Sequence, residues 1–525
     1  MSEGRDVRLR RFHQARWDEP VIFELSNRGE RGHLVPETEA EIEAVVGDGV
    51  SALSPHMRRK EKVGLPEMAE SRVLRHYLRL SQGTLGADLN VDIGQGTCTM
   101  KYSPKINERF ATSANLTELH PLQDESTVQG VLEIMHRLDL CLREISGMDQ
   151  FSLQPGGGSQ AIFGMVSIIE AYHRACGQAG DRDEIITTIF SHPSNPAAAA
   201  LKGYKVITLY PDEDGYPDLE ALKEAVSGRT AGLLITNPED TGIFNHRIRE
   251  FTEVVHEAGG LCGYDQANAN GILGITRARE AGFDLSFFNL HKTFSSPHGC
   301  GGPGAGALGV REELARFLPV PLVRSDGDRY FLDYDLPDSI GKLRGFCGVI
   351  PALVRSYAWI RSLGEEGLRE VARCAVLSNN YLLRRVEQIR GAGAPYAPGQ
   401  HRVEQVRYSW EELTRETGVT VGDIQRRMCD FGFHLWSSHH PWIVPEPFTL
   451  EPTESYSVRE LDEYLAALER VAGEAHEDPE LVRSAPHNSV VHRTEQGSLD
   501  DPDRWAVTWR AYLRKRAERE ADRRP

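Results

Sequence analysis

The 525-residue chain is predicted to be α/β, with a large domain on a mostly parallel sheet and a smaller α+β domain after it. Three observations carry that prediction. Between residues 184 and 292, short β-rich apolar runs alternate with segments of helical apolar spacing, the pattern of strand–helix–strand crossovers. Beyond residue 350 the alternation stops and long helical patterns take over. The composition, 26 % charged and 40 % hydrophobic, is that of a globular protein with a large core.

The elements follow in order. Residues 1–120 read as an N-terminal arm, including "GRDVRLRRF", and a helical segment. Residues 121–350 form the large domain. It opens with "STVQGVLEIMHRLDLCLREISGM", whose apolar spacing is helical and which ends near Gly147. "QPGGGSQAIFGMVSIIEAYHRAC" is a glycine turn feeding another helix. "EIITTIF" and "KVITLY" are strands, "LEALKEAV" a helix and "TAGLLITNP" a strand. "RIREFTEVVHEAG" is a helix, "LCGYDQANA" a strand, and "LSFFNLHK" a strand ending on Lys292. Residues 351–485 form the smaller domain, starting with a long helix broken around Gly364 and closing on the helix "SVRELDEYLAALERVAGEAHE". Residues 486–525 are a polar tail with a short charged helix, "WAVTWRAYLRKRAERE".

Composition excludes several function classes. With 60 basic and 77 acidic residues the net charge is −17, a poor basis for nucleic-acid binding. No apolar run reaches the ~18 residues of a membrane span, and the start lacks the apolar core of a secretion signal. The eight cysteines are scattered with no CxxC pair, which points to a reduced, cytoplasmic protein and not to disulfides or zinc. His434, His439 and His440 lack an acid or cysteine at ligand spacing, so no metal is expected. Cys98 reads as a buried structural thiol.

Four features fall at predicted strand ends, where open α/β sheets bind ligands. "GGGSQA" opens a helix, and free N–H groups there suit a phosphate. His192 follows "EIITTIF" and could stack on a planar cofactor. Asp265 ends "LCGYDQANA" and could keep a pyridinium nitrogen protonated. Lys292 could form a Schiff base with an aldehyde cofactor. Each taken alone also has an ordinary structural reading: a glycine turn, a polar loop histidine, an exposed aspartate, a surface lysine. Their order along the chain is the stronger signal, because it is that of fold-type-I pyridoxal-phosphate enzymes.

The likeness extends further. "LSQGTLGADLN", "GTCTMKYSPKIN", "LHPLQDESTVQG", "GMDQFSLQP", "NLHKTFSSPHGCGGPGAGALGV", "DRYFLDYDLPDSIGKLRGF" and "LEPTES" together resemble the C-terminal subunit of glycine decarboxylase, the P-protein of the glycine cleavage system. The resemblance implies pyridoxal 5′-phosphate on Lys292, Asp265 at the ring nitrogen, and His192 and Ala267 on the two faces of the ring. It also implies phosphate contacts near Gly158, Ser159, Gln160 and His291, and places Lys292, His192 and Asp265 in catalysis. The chain departs from the family pattern at Gln160, which stands for a His, and at Ile162, which stands for a Glu. It departs again at Gln266, Pro193, Ser194, Cys300 and the stretch Phe346–Val349.

These departures lead to the expectation of retained cofactor chemistry on a small amino acid with an altered substrate pocket, in specialised metabolism. Decarboxylation would generate a Cα carbanion, and glycine–bicarbonate exchange would be weak. Two alternatives stay open: a genuine glycine cleavage subunit that transfers an aminomethyl group to a lipoyl carrier protein, and a non-catalytic partner subunit. The expected assembly is a homodimer or a heteromer with an N-terminal-type subunit.

Overall fold

The computed structural model describes residues 7–33, 36–61, 63–85, 89–96, 101–298, 302–436, 443–490 and 508–522. They form two compact units. One comprises Leu85–Ser484 with the segment ending at His13; the other comprises Gln14–Thr84 with the segment from Ala485 onward.

The larger unit is built on a seven-stranded sheet. Its strands are β1 (Gln150–Ser152), β2 (Glu184–Thr188), β3 (Lys205–Leu209), β4 (Thr230–Thr236), β5 (Leu261–Gln266), β6 (Leu285–Asn289) and β7 (Gly306–Val310). The order is β1-β7-β6-β5-β4-β2-β3. Strands β2 to β6 run parallel; β7 is antiparallel to both β6 and β1. The expected mostly parallel sheet is therefore present.

Helices cover both faces, which is why β5, β6 and β7 are buried along their whole length and read as continuous apolar runs. On one face the helix Gly158–Ala175 buries Ile162, Met165, Val166 and Ile169, spaced along a single side. These join Leu234, Phe287 and Leu308 in one apolar cluster. A Cβ at Gly263 would lie 2.6 Å from Met165 Cε, so a glycine in β5 lets this helix approach. The opposite face packs Leu233, Ile235, Tyr264 and Phe288 against the helices Gln129–Ser146 and Ile248–Glu257. Each such fully buried side chain contributes about 1.5–3 kcal/mol.

The helix Ile350–Val386 runs for 37 residues and is interrupted at Gly364 (φ 64°, ψ −171°), where the break was expected. Its distal end, with Leu382, Leu383 and Val386, enters a second core. That core gathers the antiparallel pair β10 (Val406–Ser409) and β11 (Pro447–Leu450) with the helices Val421–Cys429 and Val458–Glu477. Both helices carry a capping box, on Thr420 and Ser457. A hairpin of β8 (Leu322–Ser325) and β9 (Tyr330–Asp333) completes the strands.

One local expectation needs correction. The strand in "LSFFNLHK" stops at Asn289, and Lys292 lies in the turn beyond it, with its N–H donating to Asn289 O at 3.0 Å. His192 lies just before a helix that runs from Ser194 to Leu201. Strand β7 was not foreseen: "GALGV" is poor in β-formers, yet a Cβ at Gly309 would sit 2.4 Å from Phe151 Cζ, so small residues are what its pairing with β1 requires.

In the smaller unit the helix Glu70–Gln82 carries His76 and Arg79, both paired with the buried Glu19 carboxylate at 2.9 and 3.1 Å. Phe23 packs on Trp509 of the helix Trp509–Asp522, ring centroids 4.1 Å apart. No described helix is long and apolar enough to cross a membrane.

Candidate active site

Parallel strands deliver their carboxyl ends to one edge. Strands β2, β5 and β6 bring His192, Asp265 and Lys292 to that edge. Register ties Asp265 to Phe287 of β6 and to Thr236 of β4.

Asp265 is 5 % exposed. Its two oxygens accept from the Ala267 N–H at 3.0 Å and from Asn195 Nδ2 at 2.9 Å. Burial pushes its carboxyl up from the usual range, opposed by the charge of His192, the Ala267 N–H, Asn195 and the charge of Lys292. A carboxylate held by two donors but starved of water is primed for a cation beside it. His192 is exposed; its Nδ1 accepts the Ser194 N–H at 3.1 Å, which fixes the ring plane.

Lys292 is 8 % exposed. Its neighbour His291 is equally buried, and its Nδ1 sits 3.1 Å from the Ala305 N and 3.0 Å from the Ala305 O. Burial, then the charges of Lys292 and His298, push His291 down to about 4, so its ring is neutral at pH 7. The His298 ring stands edge-on to it at 4.7 Å.

The glycine stretch closes the site. Gly158 and Ser159 open the helix Gly158–Ala175, with their N–H groups unbonded within it. A Cβ at Gly157 would lie 3.7 Å from His291 Cε1, and one at Gly158 2.9 Å from Asn289 Nδ2. Asn289 Oδ1, beside this cradle, is buried with no hydrogen-bond partner among the described residues. Arg344 Nη1 would lie 2.7 Å from a Cβ at Gly156. Unpaired N–H donors and a guanidinium around a glycine cradle fit a phosphate, and Asp265 fits a pyridinium. These residues therefore fit pyridoxal phosphate, with Lys292 positioned for its aldehyde.

The structure brings Gly158, Ser159, His192, Asp265, Ala267, His291 and Lys292 to this edge. Gln160 braces the loop instead: its Oε1 accepts the Gly156 N–H at 2.7 Å and its Nε2 donates to Leu343 O at 2.8 Å. Two of the departures from the family pattern face away from the edge. Ile162 is 1 % exposed in the apolar core, and Gln266 takes a hydrogen bond from Ser286 Oγ at 2.6 Å. Cys98, Cys300, His439 and His440 lie outside the described residues. His434 Nε2 meets Leu85 O at 3.1 Å.

Sequence reasoning missed Asn195, Asn289 and Arg344. Asn195 could have been found, since it sits one helical turn after His192; the others are set by packing. Among the described residues one group has metal-type donors, His256, Cys262 and Asp284. Asp284 there accepts from His256 Nε2 at 2.8 Å, the Cys262 N–H at 2.7 Å and Arg311 Nη1 at 3.2 Å, an ion-pair knot at the amino ends of the strands.

Comparison with known proteins agrees with this geometry. The family described as glycine dehydrogenase, C-terminal domain, matches residues 371–493, and aminotransferase class-V matches residues 158–402. The probable glycine dehydrogenase (decarboxylating) subunit 2 of Pyrococcus abyssi is 45 % identical over 97 % of this chain and 100 % of its own length. That of Pyrococcus furiosus is 46 % identical with the same coverage. Among solved structures, inhibitor-bound glycine decarboxylase (P-protein) of the glycine cleavage system superposes with a TM-score of 0.71 at 20 % identity, covering 84 % of this chain and 100 % of that one. A cysteine desulfurase from Thermococcus onnurineus gives 0.57 at 15 %, covering 74 % and 98 %. Near-complete coverage at such identity, on a fold-type-I scaffold, means that the chain belongs to the glycine dehydrogenase (decarboxylating) subunit 2 family of pyridoxal-phosphate enzymes.

Proposed function

We propose that the chain is the cofactor-bearing subunit of a two-subunit glycine decarboxylase. It would release the glycine carboxylate as CO₂ and pass the remaining aminomethyl group to a lipoyl-bearing carrier protein. The observation that carries this reading is the strand-end set Asp265, His192 and Lys292 over a glycine cradle, in a chain that matches relatives named subunit 2 along their whole length. That name also supports a separate N-terminal-type subunit as partner.

Bound pyridoxal phosphate supplies an electron sink for the pair left when a bond to Cα breaks. The chain's residues do the rest. The Gly158 and Ser159 N–H groups and the neutral His291 would hold the phosphate end. Asp265, kept aimed by Asn195 and the Ala267 N–H, would hold a proton at the ring nitrogen. His192 and Ala267 would flank the ring. Lys292 would be the amine that attaches the cofactor and, once free, would hold a proton.

A second reading, an altered substrate in specialised metabolism, rests on Gln160 standing where the family pattern has a His. Glycine–bicarbonate exchange, measured with the lipoyl protein and the partner subunit added, separates the two. Robust exchange supports glycine as substrate. Silent exchange in a yellow, folded protein would overturn it and favour the altered pocket.

A further inference from the structure

One buried carboxylate linked to the Lys292 turn is left unused by the roles above. Glu451, in "LEPTES", is 0 % exposed. Its Oε1 accepts from both Asn268 Nδ2 and Asn270 Nδ2 at 2.5 Å. Its Oε2 is buried with no hydrogen-bond partner among the described residues. The two asparagines belong to the segment following Asp265. Between them, the Ala269 N–H donates to Thr293 Oγ1 at 2.8 Å, and Thr293 is the residue after Lys292. Glu451 therefore braces the segment after Asp265, which in turn holds Thr293 beside Lys292.

Burial and the charges around it pull its ionisation in opposite directions. Glu404 accepts the Gly271 N–H at 3.1 Å, and its carboxyl is pushed well above the usual range by burial and then by the charge of Glu451. Of the two acids, Glu404 is the one pushed further toward its neutral form. Burial raises Glu451 to about 7, against Asn270, Asn268 and the charges of Lys292 and Lys101. Lys101 lies 3.1 Å from Glu454 and 4.7 Å over the Trp359 ring, so it already has a partner. Asp265 faces the ring-nitrogen side, and burial pushes both His291 and His298 down toward neutrality.

We propose that Glu451 is a positioning residue of the cofactor site: the buried counter-charge, fixed by Asn268 and Asn270, against which the nitrogen of Lys292 carries its proton. The inference rests on the cofactor being bound at Lys292.

The test is a pH titration of the yellow absorbance of the holoprotein. Glu451→Gln keeps an acceptor for both asparagines and removes the charge. The pH at which the band is half lost on raising the pH falls by about one unit in E451Q. Glu451→Asp, which keeps the charge, restores most of that shift. Equal midpoints in wild type and E451Q, or an E451D as displaced as E451Q, would overturn the proposal. Should E451Q not fold, Asn270→Ala weakens the carboxylate from outside and shifts the midpoint in the same direction by less; no shift there overturns it equally. A wild-type protein that never turns yellow with added pyridoxal phosphate, or a band that survives Lys292→Ala, would instead sink the cofactor reading underneath.

Discussion

Asp265→Asn separates the cofactor pair from the fold. The wild-type carboxylate faces two donors, the Ala267 N–H at 3.0 Å and Asn195 Nδ2 at 2.9 Å. An asparagine keeps one acceptor, so one donor meets an NH₂ group, at a cost of about 1–3 kcal/mol. The same change removes a buried charge whose desolvation already raises the carboxyl. In the apoprotein these two effects offset, and the melting temperatures of parent and variant coincide within a few degrees. With the cofactor bound they do not, because a buried charge pair loses one member, worth about 3–5 kcal/mol. A weakening of 10² corresponds to about 2.7 kcal/mol. A ligand present at about 100 times its Kd stabilises by ~2.7 kcal/mol; weakened 10²-fold it stabilises by ~0.4. The assay is thermal denaturation with and without pyridoxal phosphate, with Lys292→Ala in both proteins so that covalent attachment does not mask the loss. A cofactor-induced rise in melting temperature as large in D265N as in its parent would refute the reasoning.

Two further outcomes are expected. Gly158→Ala places a Cβ 2.9 Å from Asn289 Nδ2 and 3.3 Å from Phe287 Cε2, so it destabilises by about 1–3 kcal/mol and weakens cofactor binding; melting curves and a pyridoxal-phosphate titration that match wild type would contradict the cradle. The hydrogen bond from Asp284 raises His256, so this pair's stabilisation is complete below about pH 6.5 and fades as pH rises through the raised value. Urea denaturation of wild type and His256→Gln from about pH 5.5 to about pH 9 should show a gap that narrows with pH; a widening gap would reverse the assignment.

What the sequence disclosed followed from local chemistry. Lys292, Asp265 and the glycine loop were legible because each sits where an apolar run stops, and periodicity marks such points well. The end of β6 was misjudged because Leu290 extends the apolar run past Asn289, although it is buried in the turn. Strand β7 escaped because its Gly309 serves Phe151, a residue more than 150 positions away. Glu451 and Glu404 escaped for the same reason: nothing near them in the chain shows that they meet Asn270 and Gly271. The family-pattern comparison found Gln160, Ile162 and Gln266 but could not tell which way each points. Ile162 turned out to face the core and Gln266 the Ser286 hydroxyl.

The long helix Ile350–Val386 has a consequence for how the larger unit comes apart. Beyond Gly364 it is one uninterrupted rod that plants Leu368, Val371 and Ala372 in the core against the sheet and Leu382, Leu383 and Val386 in the core around β10 and β11. Neither core can open without stripping side chains from a helix the other still holds. The two are therefore expected to melt as one cooperative transition, and a chain that has made the sheet but not the distal core would carry an exposed apolar helix end. Completing the second core, whose residues run on from Val406 through Val482, is therefore the step that would remove this segment from the reach of chaperones and proteases during synthesis.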